Sequence, residues 1–199
     1  IAKEKVFVSG SIKFDISISE EVQTNGEQLR DALGSQRPVW IAASTHQGED
    51  EIVLAAHKDL LQAHPNALLI LVPRHPERFE SVYQLCHSSF ITNRRTANTE
   101  CDDNSQVYLA DTMGEMLTLI AAADLCFMGG SLLGDKVGGH NMLEPAALAK
   151  PIITGASFFN FTDITNQLVS AGACKIVNSE GELAAELNTL FMDKEASQQ

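Results

Sequence analysis

One stretch decides the fold: Phe127-Met-Gly-Gly-Ser-Leu-Leu-Gly-Asp-Lys-Val-Gly-Gly-His-Asn-Met-Leu-Glu-Pro145. Residues 122–128, at its start, are typical of a buried strand that ends at glycines, and residues 143–149, at its end, predict a helix. Many α/β proteins bind phosphate where a strand passes through glycines into a helix, because the backbone approaches the anion closely and offers unpaired N–H groups. The stretch therefore favours an enzyme or a nucleotide-binding protein.

Strand-like and helix-like segments alternate along the rest of the chain. Apolar runs predict strands at residues 38–43, 67–72, 90–91, 107–109, 122–128, 151–154 and 175–177. Helical spacing or helix-start signals predict helices at residues 49–63, 76–86, 112–122, 143–149, 162–170 and from 179 onward. The polar residues 92–105 predict a long loop. This alternation predicts an α/β fold with a doubly wound, Rossmann-like parallel sheet in a single domain over residues 1–199.

Composition and charge exclude several classes of protein. The 199 residues carry a formal net charge of −12, which predicts no nucleic-acid partner. The longest apolar run, residues 67–72, is too short to cross a bilayer. Four cysteines without a CxxC pair favour free thiols over a zinc site or a disulfide framework. Because the sequence begins with Ile1 close to a strand-like run, we expect it to be a piece of a longer protein.

Polar loops follow four of the predicted strands. These loops are Ser44–Glu49, Pro73–Arg78, Asp111–Glu115 and the glycine-rich residues 129–142. Ligands of parallel α/β sheets bind outside the carboxyl ends of the strands, where these loops would meet. The sequence therefore predicts one binding site built from all four loops.

The densest positive group of this acidic chain is formed by Arg74, His75 and Arg78. Arginine binds phosphate or carboxylate through two parallel contacts, so the group predicts an anion site at a strand end. The alternative is a surface network between Arg78 and Glu77, with His75 as an ordinary loop residue.

Ser44, Thr45 and His46 join a strand to a helix and are predicted to bind ligand at the rim of the sheet. The alternative is that Ser44 or Thr45 only caps the following helix. His46 is either a general acid/base or a hydrogen-bond donor. No nucleophile, base and carboxylate series accompanies it, so we predict binding and no catalytic residue in this chain.

Asn141 and Glu144 are three residues apart and share one face of the predicted helix. Pro145 predicts a short, distorted first turn, because proline disfavours a helical conformation in the residue before it. A carboxylate at this rim suits the two neighbouring hydroxyls of a ribose, although a glutamate at a helix start is also stabilised by the helix dipole alone. Walker A and first-turn GxGxxG motifs are absent from the sequence, and its histidines lack zinc-ligand spacing, so we expect no metal.

Six segments in order resemble the motifs of the 3-deoxy-D-manno-octulosonic acid (Kdo) transferases. They are Gly10–Asp15, Ala43–Glu49, Val72–Phe79, Asp111–Glu115, Met128–Ser131 and Gly138–Pro145. The resemblance covers nearly the whole chain and implies a GT-B glycosyltransferase, in which two Rossmann-like domains face each other across a cleft. The chain matches the carboxyl-terminal, donor-binding half. Ser11 departs from the family pattern, which has asparagine there.

The resemblance implies that the donor is CMP-Kdo and that no cofactor takes part. The acceptor would be a lipid A precursor, in lipopolysaccharide core biosynthesis at the cytoplasmic face of the bacterial inner membrane. An amino-terminal half outside this chain would supply the acceptor site, the membrane attachment and the carboxylate that acts as base. Two alternatives stay open: a GT-B-type nucleotide-sugar epimerase and a non-catalytic nucleotide-binding domain.

The matched motifs also imply individual roles. Arg74 would face the CMP phosphate or the Kdo carboxylate. Asn141 and Glu144 would hold the ribose, and Met113 and Gly114 would border the cytosine. The segments around the phosphate region would contribute Gly129, Gly130, Ser131, Gly139 and His140.

Overall fold

The computed structural model describes residues 16–97 and 101–192, which form one seven-stranded parallel sheet in the order β3-β4-β2-β1-β5-β6-β7. The strands are β1 (Val39–Thr45), β2 (Leu68–Pro73), β3 (Thr92–Arg94), β4 (Val107–Leu109), β5 (Leu125–Met128), β6 (Ile152–Gly155) and β7 (Cys174–Val177). The prediction of a doubly wound parallel α/β sheet is confirmed. The Gly10–Asp15 motif, with Ser11, lies outside the described residues.

Helices cover both faces of the sheet. They are α1 (Glu20–Leu33), α2 (Asp50–Ala63), α3 (Phe79–His87), α4 (Met116–Ala122), α5 (Leu143–Ala147), α6 (Thr162–Ser170) and α7 (Glu180–Met192). Residues of α2, α3 and α7 share one buried cluster, and residues of α1, α4, α5 and α6 pack in or against the other. Within the described ranges, no helix has the length and apolar character needed to span a membrane.

The central strands are buried on both faces because helices cover each side. Alternate residues of β2 enter opposite clusters, with Leu69 on one face and Ile70 on the other. Every residue of β2 is buried, which explains why its sequence is a continuous apolar run. Each fully buried leucine or isoleucine side chain stabilises the fold by about 1.5–3 kcal/mol.

Trp40 of β1 anchors one of these clusters. Its indole Nε1–H donates to Nδ1 of His57 on α2 at 3.1 Å, and Nε2 of His57 bonds the carbonyl of Gln106 at 2.9 Å. Both side chains have an exposed fraction of 0%. Burial lowers the pKa of His57 to about 4, so this imidazole is neutral and links β1, α2 and the start of β4.

Helix α1 is not predicted by the sequence analysis. Ser19 begins it by accepting the N–H of Val22 at 3.3 Å, and Gly34 ends it with a φ of 102°. Gly26 lies against α4 so closely that a Cβ at this position would be 2.4 Å from Cβ of Ala121. The sequence does carry signals of α1: a capping Ser19, an acidic first turn at Glu20 and Glu21, and Gly34 at its end.

Several predicted boundaries are wrong. The strand expected at residues 90–91 is β3 at Thr92–Arg94, inside the predicted loop, because this edge strand is only half-buried and lacks an apolar run. Helix α4 begins at Met116 instead of residue 112. The hydroxyl of Thr112 donates to the Glu115 carboxylate and does not cap the helix.

The chain reverses its direction of winding between β1 and β5. It proceeds from β1 towards β2 and β3, then crosses back from β4 to place β5 on the other side of β1. At this switch point Ser44 has a positive φ of 58°, and the pairing of β1 with β2 shifts register between Ala43 and Thr45. In parallel α/β sheets, ligands bind at the carboxyl ends of the strands beside such a switch point.

Candidate functional site

A cavity of about 330 Å³ lies at the carboxyl ends of β1, β2, β4 and β5. This volume is within the usual range of small-molecule sites. Seven of the fifteen residues predicted for the site line it: Ser44, Arg74, Met113, Gly114, His140, Asn141 and Glu144. Pro73, Glu115 and Phe161 also line the cavity and were not among those predicted. The four polar loops thus meet at one place, as the order of strands predicts.

The remaining eight predicted residues lie around or beneath this cavity and are not among its lining. They are Thr45, His46, His75, Arg78, Gly129, Gly130, Ser131 and Gly139. Most of them hold the loops in position, as their contacts show.

Glu49 fills the glycine turn that follows β5. Its carboxylate accepts the N–H groups of Gly130 at 2.6 Å, Ser131 at 3.0 Å and Leu132 at 3.1 Å, and that of His46 at 3.3 Å. Glu49 has an exposed fraction of 0%. Burial raises its pKa, and the four N–H bonds oppose the shift. The N–H groups predicted to face a phosphate are thus bonded to a carboxylate of the chain itself.

This role of Glu49 was missed by the sequence analysis, although the residue stands in the Ser44–Glu49 loop. A glutamate beside a helix start is ordinarily explained by the helix dipole. In the structure Glu49 is the N-cap residue of α2, and its side chain turns away to the glycine turn. The alternative that Ser44 or Thr45 caps α2 is wrong, because no side chain bonds the first N–H groups of that helix.

The glycines bring the neighbouring loops into contact. A Cβ on Gly129 would lie 2.8 Å from the carbonyl oxygen of Ser44 and 2.9 Å from that of Ala43, so the backbones of β1 and β5 approach too closely for a side chain. The N–H of Gly139 donates to the carbonyl of Gly130 at 2.8 Å. The segment that carries His140 is thereby fastened to the turn after β5.

Ser131 connects two strand ends. Its hydroxyl donates to the carbonyl of Met128 at 2.7 Å and accepts the N–H of Gly155 at 2.7 Å. It faces a second cavity of about 450 Å³, bordered by Asp135 and Phe159, and not the first one. Ser131 therefore joins β5 to β6 beside the candidate site.

The two arginines of the Pro73–Arg78 loop have different partners. Arg78 donates to the Thr45 carbonyl at 3.1 Å and forms an ion pair with Asp50, whose side chain is 1% exposed. This corrects the alternative of a surface network with Glu77. Arg74 is exposed, lines the cavity and makes no ion pair among the described residues. Arg74 is consequently the arginine of this loop whose guanidinium is available to an anion.

Three histidines cluster beside Arg74. Nε2 of His46 lies 2.8 Å from Nε2 of His140, and the two rings meet edge to edge with nearly parallel planes, at an interplanar angle of 9°. His75 contacts the ring of His46 edge-on, with centroids 5.2 Å apart. Burial, together with the charges of His46 and Arg74, lowers the pKa of His140 to about 4. Burial, followed by His75, also lowers the pKa of His46. Both paired imidazoles are therefore neutral near pH 7 in this structure.

Asn141 and Glu144 both line the cavity, but they do not share a helix face as predicted, because α5 begins at Leu143 and Asn141 precedes it. Oδ1 of Asn141 accepts the N–H of Leu143 at 3.2 Å, which forms the turn into the helix. Burial raises the pKa of Glu144, while a hydrogen bond with Asn141 opposes the shift. The helix ends at Ala147 and is shorter than predicted. The two side chains present an amide and a carboxylate to the same space, an arrangement suited to vicinal hydroxyls.

Met113 and Gly114 form an exposed turn on the opposite wall. Gly114 has a φ of 85°, and no atom lies within 4 Å of the position of a Cβ. The turn is held by Glu115, which bonds Nε of Arg95 at 2.7 Å. The hydrogen bond from Arg95 lowers the pKa of Glu115, so this carboxylate is ionised and occupied. The backbone of residues 113 and 114 remains accessible from the cavity.

Residues 16–97 and 101–192 contain no group of three or more His, Cys, Asp or Glu side chains placed to hold a metal ion. Arg74 brings positive charge to the wall of the cavity, so an anionic ligand has a cationic partner there.

No protein-family model matches the chain. Both characterised proteins and solved structures resemble it, however. It is 44% identical over 196 residues to the 3-deoxy-D-manno-octulosonic acid transferase of Haemophilus influenzae, covering 98% of this chain and 45% of that protein. It is 40% identical over 172 residues to the enzyme of the same name from Bordetella pertussis, covering 83% and 39%. The chain thus spans less than half the length of these relatives.

A solved structure of a single domain matches most of this chain. The chain is 34% identical to the C-terminal CMP-Kdo binding domain of WaaA from Acinetobacter baumannii, with a TM-score of 0.85, and the match covers 91% of this chain and 94% of that domain. The chain belongs to the Kdo transferase family. Its sheet is that of the carboxyl-terminal, Rossmann-like domain of a GT-B glycosyltransferase, which confirms the family and the fold that the ordered motifs imply.

Proposed function

We propose that this chain is the donor-binding half of a Kdo transferase and binds CMP-Kdo in the cavity at the switch point. The observation that carries the proposal is the meeting of Arg74, Asn141 and Glu144 around one cavity of about 330 Å³. CMP-Kdo offers a ribose with vicinal hydroxyls, a phosphodiester and a carboxylate. Each of these groups has a chemically complementary partner in the site.

The residues that line the cavity indicate which group of CMP-Kdo each of them binds. Asn141 and Glu144 bind the ribose hydroxyls, because an amide and a carboxylate accept their hydrogen bonds side by side. Arg74 binds the phosphate or the Kdo carboxylate through its guanidinium. The turn at Met113 and Gly114 borders the cytosine, which it recognises through exposed backbone groups.

In this proposal the site stabilises the departing CMP and needs no cofactor. Transfer has oxocarbenium character, so the main task of this half is to bind the leaving group more strongly as its charge develops. The cavity carboxylates Glu115 and Glu144 are bonded to Arg95 and Asn141, respectively, and are not assigned as the base. The base that deprotonates the acceptor, a lipid A precursor, belongs to an amino-terminal half that acts at the cytoplasmic face of the inner membrane.

Calorimetry of the 199-residue chain with CMP, cytidine and UMP tests the proposal. We expect saturable binding of CMP, weaker binding of cytidine and UMP, and no sugar transfer by this chain alone. Glu144→Gln should weaken CMP binding roughly tenfold, since it removes a charged hydrogen-bond acceptor. Lys58→Ala, which changes an exposed residue of α2, is the matched control.

Absence of CMP binding to the folded protein would contradict the proposal. A preference for UMP over CMP would instead favour a nucleotide-sugar epimerase, and either result is read directly from the same titrations.

A further inference from the structure

His46 and His140 share a single hydrogen bond between their Nε2 atoms, at 2.8 Å. Such a bond requires one ring to carry a proton on Nε2 and the other to offer its lone pair. Two imidazolium rings would set N–H against N–H at this distance. The pair therefore exists either neutral or with one added proton, held on the ring that donates the bond.

Two arginines and two carboxylates lie close to the pair. The charged and titratable side chains that face it from the loops after β1 and β2 and the start of α2 are Arg74, His75, Arg78, Glu49 and Asp50. Glu144 of α5 lines the same cavity as His140 and is hydrogen-bonded to Asn141. The two carboxylates are already bonded, Glu49 to backbone N–H groups and Asp50 to Arg78. Without an anion in the cavity, Arg74 thus disfavours a proton on the pair, in agreement with the lowered pKa values of both rings.

We propose that the His46–His140 pair binds one proton when a phosphate group occupies the cavity beside Arg74. His140 lines that cavity together with Arg74, so a phosphate there contacts or closely approaches its ring. The negative charge offsets the repulsion from Arg74, and the added proton remains within the hydrogen-bonded pair. This inference rests on the proposed function, because it takes the donor phosphate to be the anion.

The proton has a consequence for the transfer step. As a diester the donor phosphate carries one negative charge. When the bond between the anomeric carbon of Kdo and the phosphate oxygen breaks, the electron pair stays on that oxygen and gives CMP a second charge. The acceptor proton leaves to the base of the other half, and the imidazolium beside the phosphate stabilises the departing CMP electrostatically.

Proton uptake is measured by titrating the 199-residue chain with CMP at pH 7.5 in three buffers of different ionisation enthalpy. The slope of binding enthalpy against buffer enthalpy gives the number of protons taken up, and we expect a net uptake of a fraction of a proton per CMP. The second pKa of a phosphate monoester is about 6, so CMP itself contributes little at this pH. Cytidine, which lacks the phosphate, should bind without uptake.

Two variants identify the groups that take up the proton. His140→Gln and His46→Gln should each abolish the uptake and weaken CMP binding more at pH 6.5 than at pH 8.5. His87→Gln is the control, since His87 lies on α3, stacked on Tyr83, and is absent from the cavity lining. Nitrogen-15 spectra of the histidine rings in the unsubstituted protein give the same answer even if a variant fails to fold.

The outcomes separate this inference from the proposed function. If CMP binds with the same enthalpy in all buffers, or if His140→Gln retains the uptake, the inference is wrong and the proposed function is unaffected. If CMP does not bind, both are wrong. Uptake that depends on both histidines and on the phosphate establishes the pair as the proton site.

Discussion

The carboxylate of Glu49 accepts the backbone N–H of Gly130 at 2.6 Å, although the two residues are 81 positions apart in the chain. The same carboxylate binds the N–H groups of Ser131 and Leu132. One buried side chain thus joins the loop after β1 to the loop after β5, on either side of the switch point. Together with the bond from the N–H of Gly129 to the carbonyl of Ala43, this carboxylate holds the two loops beside the candidate site.

Glu49→Gln should destabilise the fold by roughly 2–4 kcal/mol, because the new amide NH2 faces N–H donors that lose their acceptor. The free energy of unfolding is measured by urea titration with circular dichroism. Glu51→Gln, on the exposed face of α2, should change it by less than about 0.5 kcal/mol. Equal effects of the two substitutions would contradict the role assigned to Glu49.

Arg78→Ala should destabilise the protein by about 3–5 kcal/mol, since it leaves the 1%-exposed carboxylate of Asp50 without its counter-ion. Adding Asp50→Asn removes the unpaired charge and should recover part of the loss. Both are measured by chemical unfolding, with the exposed Glu77→Ala as control. If Arg78 contacts the ligand and does not pair with Asp50, Arg78→Ala will weaken CMP binding and leave the free energy of unfolding unchanged. That result would contradict the ion pair.

Arg74→Ala should weaken CMP binding and leave stability nearly unchanged, the opposite of the effect expected for Arg78→Ala. We expect CMP affinity to fall about tenfold to a hundredfold, corresponding to a charged hydrogen bond of roughly 1.5–3 kcal/mol. Stability should stay within about 0.5 kcal/mol, because Arg74 is exposed and makes no ion pair among the described residues. Calorimetry and chemical unfolding of the same preparation separate the two effects, and unchanged affinity would exclude Arg74 from the site.

The ion pair of Arg95 with Glu115 predicts a contribution to acid sensitivity. The hydrogen bond from Arg95 lowers the pKa of Glu115 in the folded state below its unfolded value of about 4.3. The folded protein therefore binds fewer protons, and the stability that this pair contributes is lost as the pH falls through the folded-state pKa. Glu115→Gln should flatten the dependence of unfolding free energy on pH below about 4.5, whereas the exposed Glu180→Gln should not.

Gly155→Ala should destabilise the fold by about 1–3 kcal/mol, since a Cβ there would lie 2.2 Å from the backbone oxygen of Ser131. Gly181→Ala is the matched control, because this glycine lies in α7 with open space around its Cβ position. Gly181→Ala should raise the free energy of unfolding by about 0.5–1 kcal/mol, as measured by thermal unfolding. A Gly155→Ala protein as stable as the parent would show that β5 and β6 separate easily at this end.

The elements that could be predicted from the sequence are those whose surroundings leave a periodic pattern. Strand β2 is covered by helices on both faces, so its sequence is a continuous apolar run and its position was predicted to within one residue. Strand β3 has no such pattern, because it is a half-buried edge strand of polar residues. Helix α1 could have been predicted from its Ser19 cap and from Val22, Leu29 and Leu33, which recur at helical spacing.

The candidate site, like the fold, could be predicted from the sequence only in part. Its four loops were predictable, because parallel strands place their carboxyl ends at one edge. The different partners of Arg74 and Arg78 could not be predicted, since Asp50, which pairs with Arg78, lies 28 residues away at the start of α2. Nor does the spacing of Gly129 and Gly130 reveal that the acceptor of their turn is a glutamate from another loop.

Trp40 gives the domain a built-in optical probe. It is the sole tryptophan of the sequence, it has an exposed fraction of 0%, and its indole is hydrogen-bonded to His57. An indole in such dry surroundings fluoresces at shorter wavelengths than one in water. Its emission spectrum therefore reports the integrity of the layer between β1 and α2, without a dye and without background from a second indole.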